Sequence, residues 1–283
     1  MNDTIAEDAA LRGANPADEA APAERAGFQV RPITRHRAAG RSASHDSVAE
    51  EMPLALVVNG ISHVVMMVTP RDLEAFAVGF ALTEGLVNSR GQIYDAELRM
   101  HAHAAEVDLT IAQAAFQRMK GQRRALAGRT GCGVCGIESL ALLDLAPDRM
   151  APATLPVEMG AAIARAAAEL PRHQVLMRET GGVHAAAWCA ADGAIAAVFE
   201  DVGRHNALDK LIGHLAMHGI DLRGGFVFMS SRASYELARK TARVGIPMLA
   251  TISAPSSLAI DIAAQAGLKL ASFCRRDGFV EYT

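Results

Sequence analysis

At 283 residues, 51% hydrophobic and with a formal charge of −3, the chain is long enough to bury one large core or two smaller ones. That charge argues against general nucleic-acid binding, and an aromatic content of 5% argues against a base-stacking surface for single strands. The first thirty residues lack the apolar centre of a secretory signal, and no run of about 18 apolar residues occurs, so a cytoplasmic protein with no membrane association and reduced thiols is expected.

Residues 1 to 50 read as a disordered tail. Over residues 1 to 27, six acidic side chains stand against two basic ones, and large apolar residues are few. Arg31, Arg35, Arg37 and Arg41 then make a basic segment, either a solvated linker or a docking arm for an acidic surface.

Residues 51 to 128 are predicted to form a smaller lobe. Asn59-Gly60 separates the β-branched runs Leu54 to Val58 and Ile61 to Val68, as a type I′ hairpin turn requires, since both turn positions need φ above zero. Thr69-Pro70-Arg71-Asp72 opens a helix running to about Leu86, with Thr69 as N-cap. Val107 to Ile111 alternates like a strand and is paired with Ile93 to Met100. Gln117 to Arg129 is a basic approach to a cysteine loop.

Residues 129 to 283 hold that loop and an α/β core. A short helix is expected over Ile137 to Leu145 and another over Val157 to Leu170. Val183 to Ala190 and Ala194 to Phe199 flank Asp192-Gly193 as a hairpin, and Gly203 to Met217 is amphipathic, with Ala207, Leu208, Leu211, Ile212 and Leu215 on one face. Strands over Phe226 to Ser230, Pro247 to Ser253 and Leu268 to Cys274 alternate with helices over Ala233 to Val244 and Ser257 to Ala266. Two successive βαβ units imply parallel strands, hence an α/β fold with a mixed sheet and flanking helices.

Arg129-Thr-Gly-Cys-Gly-Val-Cys-Gly136 contains two of the four cysteines, Cys132 and Cys135. A Cys-x-x-Cys in a chain without a secretory signal points to redox, sulfur-handling or metal chemistry, with an inert loop pair as the bland alternative. A following helix N-terminus favours thiolate by about 0.3 to 1 kcal/mol, less than one pKa unit, so Arg129 or a partner's charge has to supply the rest. Zinc lacks a second ligand pair, and no structural metal is expected; a thioredoxin-like site lacks the neighbouring Trp and the intervening Pro.

Glu200-Asp-Val-Gly-Arg-His-Asn-Ala-Leu-Asp-Lys210 crowds a strand-to-helix junction with more polar groups than capping needs. Arg204 and His205 are candidates for anion binding, and His205 also for a general base; Thr180-Gly-Gly-Val-His184 is similar in kind. Ser231, Arg232 and Ser256 lie at two β-to-α junctions, where hydroxyls and free N–H groups suit phosphate, although such serines are also ordinary N-caps. Phe273, Cys274, Arg275, Arg276, Asp277 and Gly278 end the last strand, with both arginines placed toward the same crevice. Cys189 reads as a buried strand residue.

Together, Pro53 to Gly60, Gly79 to Gly85, Arg129 to Gly136, Thr180 to His184, Glu200 to Lys210, Ser231 to Ser234 and Ser253 to Ala259 resemble the formate dehydrogenase accessory sulfurtransferase family, in order, from about Glu51 onward. The resemblance implies a cytidine deaminase-like core, homodimers, and a sulfurtransferase that takes persulfide sulfur from a cysteine desulfurase. The sulfur is then delivered to the bis(molybdopterin guanine dinucleotide) molybdenum cofactor destined for formate dehydrogenase, with guanine nucleotide as a mimic of that substrate. It also implies that Cys132 is the persulfide carrier and Cys135 its partner, and that Phe273 to Gly278 contact the cofactor. The runner-up is a non-enzymatic cofactor-binding chaperone. The zinc-deaminase signature is absent, because Gly131 rather than proline precedes Cys132.

Overall fold

A computed structural model describes residues 26–38, 40–124, 147, 149–151 and 158–283, excepting the side chains of 121–124. Cys132, Cys135 and the helix expected after them lie outside the described residues.

Strands β1 (Phe28–Arg37) and β2 (Gly40–Ala49) pair antiparallel as a separate ribbon. Residues 28–49 therefore depart from the expected disordered tail. The low apolar content does deny the ribbon a core, since most of its side chains are exposed, but ladder hydrogen bonds order a backbone without one.

The hairpin of β3 (Met52–Val58) and β4 (Ile61–Val68) turns at Asn59 and Gly60, with φ of 47° and 75° as the dipeptide requires. The Asn59 side chain clamps the turn to the next strand, accepting from Ile111 N at 2.7 Å and donating to Ile111 O at 3.2 Å. Strand β3 pairs in parallel with β6 (Ala105–Ile111), and β6 pairs antiparallel with β5 (Ile93–Met100), giving the order β4-β3-β6-β5. Helix α1 (Leu73–Thr83) starts later than expected, and Thr69 does not cap it. Thr69 N donates instead to Asp201 Oδ2 and Thr69 Oγ1 accepts from Val202 N, so this residue tethers the lobe to the core. Helix α2 (Gln113–Arg124) follows β6.

The second sheet has the order β12-β11-β10-β9-β7-β8. Strands β7 (His184–Ala190) and β8 (Ile195–Asp201) form the expected hairpin; β9 (Gly225–Met229), β10 (Met248–Thr251) and β11 (Lys269–Arg275) are parallel. Strand β12 (Gly278–Glu281) turns back antiparallel on β11, an element the sequence did not reveal. The mixed α/β fold is thus present, with α5 (Arg204–Met217), α6 (Tyr235–Arg243) and α7 (Ser257–Ala266) on one face and α3 (Met159–His173) on the other. The short α4 (Val175–Thr180) precedes β7.

Helices α1 and α5 cross between the two sheets at Gly79 and Gly213. A Cβ on Gly79 would stand 1.8 Å from Asp209 O, and one on Gly213 would stand 1.8 Å from Ala75 O, so only glycine allows this approach. One buried cluster, containing Leu54, Phe76, Leu211, Val227 and Leu270, consequently runs from lobe to core without interruption. Ile163, Leu170, Phe226 and Phe228 form a smaller cluster under α3.

Charges are buried at the same crossing. Lys240 Nζ lies 2.8 Å from both Asp209 Oδ2 and Glu84 Oε1, and Arg239 Nη2 lies 2.7 Å from Glu84 Oε2. Burial works against the Glu84 carboxylate, but Lys240 and Arg239 outweigh it and hold the group at about 2. Among the described residues, no helix is long and apolar enough to cross a membrane.

Candidate functional site

The carboxyl ends of β9, β10 and β11 emerge at one end of the sheet, where α6 and α7 begin. Strand β8 is reversed twice relative to β9, through β7, so it ends at the same side and launches α5 there. Three helix N-termini therefore share one end of the fold, each with unsatisfied N–H groups that favour an anion.

The side chains at that end include the guanidinium groups of Arg204 and Arg232 together with two imidazoles, His184 and His205. Ala186 pairs with Met229, which places His184 beyond the end of β9; Ala185 N donates to Ser230 Oγ at 2.8 Å and fixes that junction. Burial first, then Arg204, His205 and Arg232, push the His184 imidazole below its ordinary value, while Asp201 works in the opposite direction. The Arg204 Nε is buried with no hydrogen-bond partner, and Arg232 is exposed. A buried donor left unpaired is costly, so this arrangement is suited to an incoming anion.

His205 Nε2 lies 3.4 Å from Ser234 Oγ and 3.5 Å from Glu236 Oε2. Glu236 is held at about 2, chiefly by its hydrogen bond to His205 and against its burial. Glu236 escaped the sequence reading because an acid in the first turn of a helix is the ordinary partner of the macrodipole. Only the tertiary structure shows it facing a histidine from another helix.

The polar run from Glu200 to Lys210 divides into two jobs. Glu200 accepts from Leu176 N and Met177 N at 2.8 and 2.9 Å, capping α4, while Asp201 and Lys210 form a fully buried pair at 2.7 Å. Asn206 Nδ2 bridges Met67 O and Asp201 Oδ1. Glu200 and Lys210, whose duty the sequence does not reveal, both hold the architecture, and Arg204 and His205 are left for the crevice.

The serine junctions are tied together, with Ala233 bridged to Pro255 and Ser253 N donating to Ser231 O. Ser256 Oγ accepts from Ala259 N as the cap of α7, and Ser231, nearly buried, donates its hydroxyl to Arg232 O. Both serines thus shape the crevice, with their side chains engaged by backbone.

The segment from Phe273 to Gly278 spans the bulged end of β11, a two-residue turn at Arg276 and Asp277, and the first residue of β12, so it ends a strand as expected although that strand is not the last. Phe273 sits at φ 55°, 45% exposed, where the ladder register shifts between Ser272 and Arg275. Such a left-handed aromatic is strained and held by its surroundings, here by donation of Phe273 N to Ser253 O. Cys274 departs from the expected contact set: it is buried in the cluster under α3, which pushes its thiol up to about 11. Arg275 donates to Ile252 O and Cys274 O, Gly278 pairs with Arg275, and residues 274–277 line a cavity of about 330 Å³ with Ala167, Pro171 and Ile252. Cys189 is fully buried, and burial raises its thiol far beyond the usual range. Neither cysteine among the described residues is therefore a nucleophile.

Comparison with known proteins agrees with this architecture. The pattern of the FdhD/NarQ family matches residues 49–283. A sulfur carrier protein FdhD of Chromobacterium violaceum is 66% identical over 252 residues, covering 89% of this chain and 93% of the relative. A protein of the same name from Burkholderia mallei is 61% identical over 255 residues, covering 88% and 93% respectively. A solved structure from Desulfotalea psychrophila, assigned as a formate dehydrogenase accessory protein, shares the fold with a TM-score of 0.69 at 23% identity, over 90% of this chain and 96% of that one. With the family pattern spanning both sheets and relatives this similar along nearly their whole length, the chain belongs to the FdhD/NarQ family.

Proposed function

We propose that this protein is a sulfur carrier acting as a sulfurtransferase for formate dehydrogenase. Cys132 accepts sulfur from a cysteine desulfurase and passes it to the bis(molybdopterin guanine dinucleotide) molybdenum cofactor, bound as substrate. In the accepting step the Cys132 thiolate attacks the terminal sulfur of the donor's persulfide. The donor S–S bond breaks, its thiolate departs with the electron pair, and Cys132 carries the persulfide. Cys135 is the neighbouring thiol that relays or resolves it.

The observation that carries the acceptor half is the convergence of three helix N-termini with His184, Arg204, His205 and Arg232. Several phosphates, as in two guanine dinucleotides, match that charge. Phe273 offers an exposed ring at the same end of the sheet, and Arg275 and Arg276 follow it in the β11–β12 turn. The names of the relatives support the carrier half.

Incubation with cysteine desulfurase and cysteine, followed by peptide mass spectrometry, is expected to place one extra sulfur on Cys132. If Cys132 never gains sulfur and Cys132→Ala still supports active formate dehydrogenase, a cofactor-binding chaperone replaces the carrier. Guanine-nucleotide titration is expected to show binding that weakens by about tenfold or more in Arg204→Ala and Arg232→Ala. Unchanged affinity in both removes the crevice from the proposal.

A further inference from the structure

The end of the fold opposite the crevice, where the parallel strands begin, holds a second concentration of arginine. Helices α1, α5 and α6 finish there, at Thr83, Met217 and Arg243, and the segments leading into β5, β9 and β10 close round a cavity of about 650 Å³. Arg90, Arg149, Arg223, Arg239 and Arg243 line it, and no aspartate or glutamate does. Leu82, Val87 and Leu222 supply an apolar wall. An apolar concavity of this size with a few converging polar groups is the usual form of a small-molecule site.

Cations at helix C-termini are ordinarily explained by the macrodipole, and Arg243 in the last turn of α6 fits that account. Arg239 is paired with Glu84. Arg149 and Arg223 lie outside any helix, and among the described residues no carboxylate stands within ion-pair reach of Arg149, Arg223 or Arg243. Glu84 is taken by Lys240 and Arg239, and Asp221 accepts from the backbone N–H of Arg223 at 3.0 Å. A Cβ on Gly85 would stand 2.0 Å from Arg243 Nη2, so this guanidinium rests against bare backbone rather than an acid. Like charges round one cavity repel each other until an anion enters. A single carboxylate offers one charge to three such groups, whereas a phosphate monoester brings about two and three acceptor oxygens suited to arginine forks. We propose that this cavity binds a phosphorylated small molecule, with its phosphates held by Arg223 and Arg243 and its less polar part on the Leu82 and Val87 wall. The site is separate from the crevice and does not depend on the sulfur-transfer reading.

Calorimetry of the full chain with pyrophosphate and with ADP tests it in an Arg204→Ala/Arg232→Ala background, which removes the crevice arginines. Both probes are expected to bind in that background and to weaken with salt. Adding Arg223→Met/Arg243→Met is expected to cost about tenfold or more in affinity for each probe. Both positions are exposed, and thermal denaturation without ligand checks that the fold is intact. No binding of either probe in the crevice background overturns the proposal, as does affinity unchanged by the added substitutions. Sulfate competing as well as pyrophosphate at equal ionic strength would reduce the cavity to unspecific charge, and a hexaglutamate peptide binding where pyrophosphate does not would replace the phosphate by a protein segment; either result overturns it.

Discussion

Lys210 Nζ stands 2.7 Å from Asp201 Oδ2, and neither side chain is exposed to solvent. The carboxylate also accepts from Thr69 N, Gly203 N and Asn206 Nδ2, while Lys210 donates to Thr69 O, so one buried pair joins the N-terminal lobe to the start of α5. Removing one partner strands a charge in a dry site. Lys210→Met is expected to cost about 3 to 5 kcal/mol in urea denaturation. A loss below about 1 kcal/mol would show that the site is wetter than its geometry implies.

The Gly79 and Gly213 crossing predicts intolerance of a single methyl group. Each added Cβ would meet a carbonyl oxygen of the facing helix at 1.8 Å, and backbone cannot swing aside as a side chain can. Gly79→Ala and Gly213→Ala are each expected to destabilise by about 1 to 3 kcal/mol or more, read as a lower melting temperature. Gly60→Ala meets nothing within 4 Å, so its cost is confined to strain at φ 75°.

Acid sensitivity follows from Glu84. Its folded value of about 2 lies below the ordinary 4.5, so its contribution is complete above 4.5 and is lost as pH falls toward 2. That window is worth about 3 kcal/mol. Denaturation measured across it is expected to show a flatter pH dependence for Glu84→Gln than for the wild type.

Ligand binding in the crevice is expected to take up a proton. Burial and the surrounding cations hold His184 below 6.5 in the free protein, and a bound polyanion would offset the cations and raise it. Guanine-nucleotide affinity should therefore increase as pH drops below about 6.5, and His184→Gln should flatten that dependence without abolishing binding. Calorimetry in buffers of different ionisation enthalpy reads the proton directly.

Cys189→Ala and Cys274→Ser should leave sulfur loading from a desulfurase unchanged, because both thiols are buried and shifted away from thiolate. Mass spectrometry of the loaded variants checks this.

Local rules made much of this fold legible. Asn59-Gly60 can hardly be anything but a hairpin turn, and the alternation of apolar runs and helical faces from Phe226 to Cys274 announced the parallel strands, because periodicity and turn chemistry act over a few residues. The ribbon was not legible, since its stability owes nothing to a hydrophobic pattern. Strand β12 was hidden because its four residues, Gly278–Glu281, are mostly exposed and carry no buried apolar run such as the four buried residues of β10.

The sequence by itself determined the family, the mixed α/β architecture and the cationic character of the strand ends, because each is written in contiguous motifs. Only the tertiary structure decided which polar residues of those motifs work for the fold and which remain for a ligand. Asp201 and Lys210 became a buried tether, Cys274 a core thiol, and Glu236 the partner of His205. Burial and pairing between residues far apart in the chain set those roles, and they exist only once the helices and sheets have met.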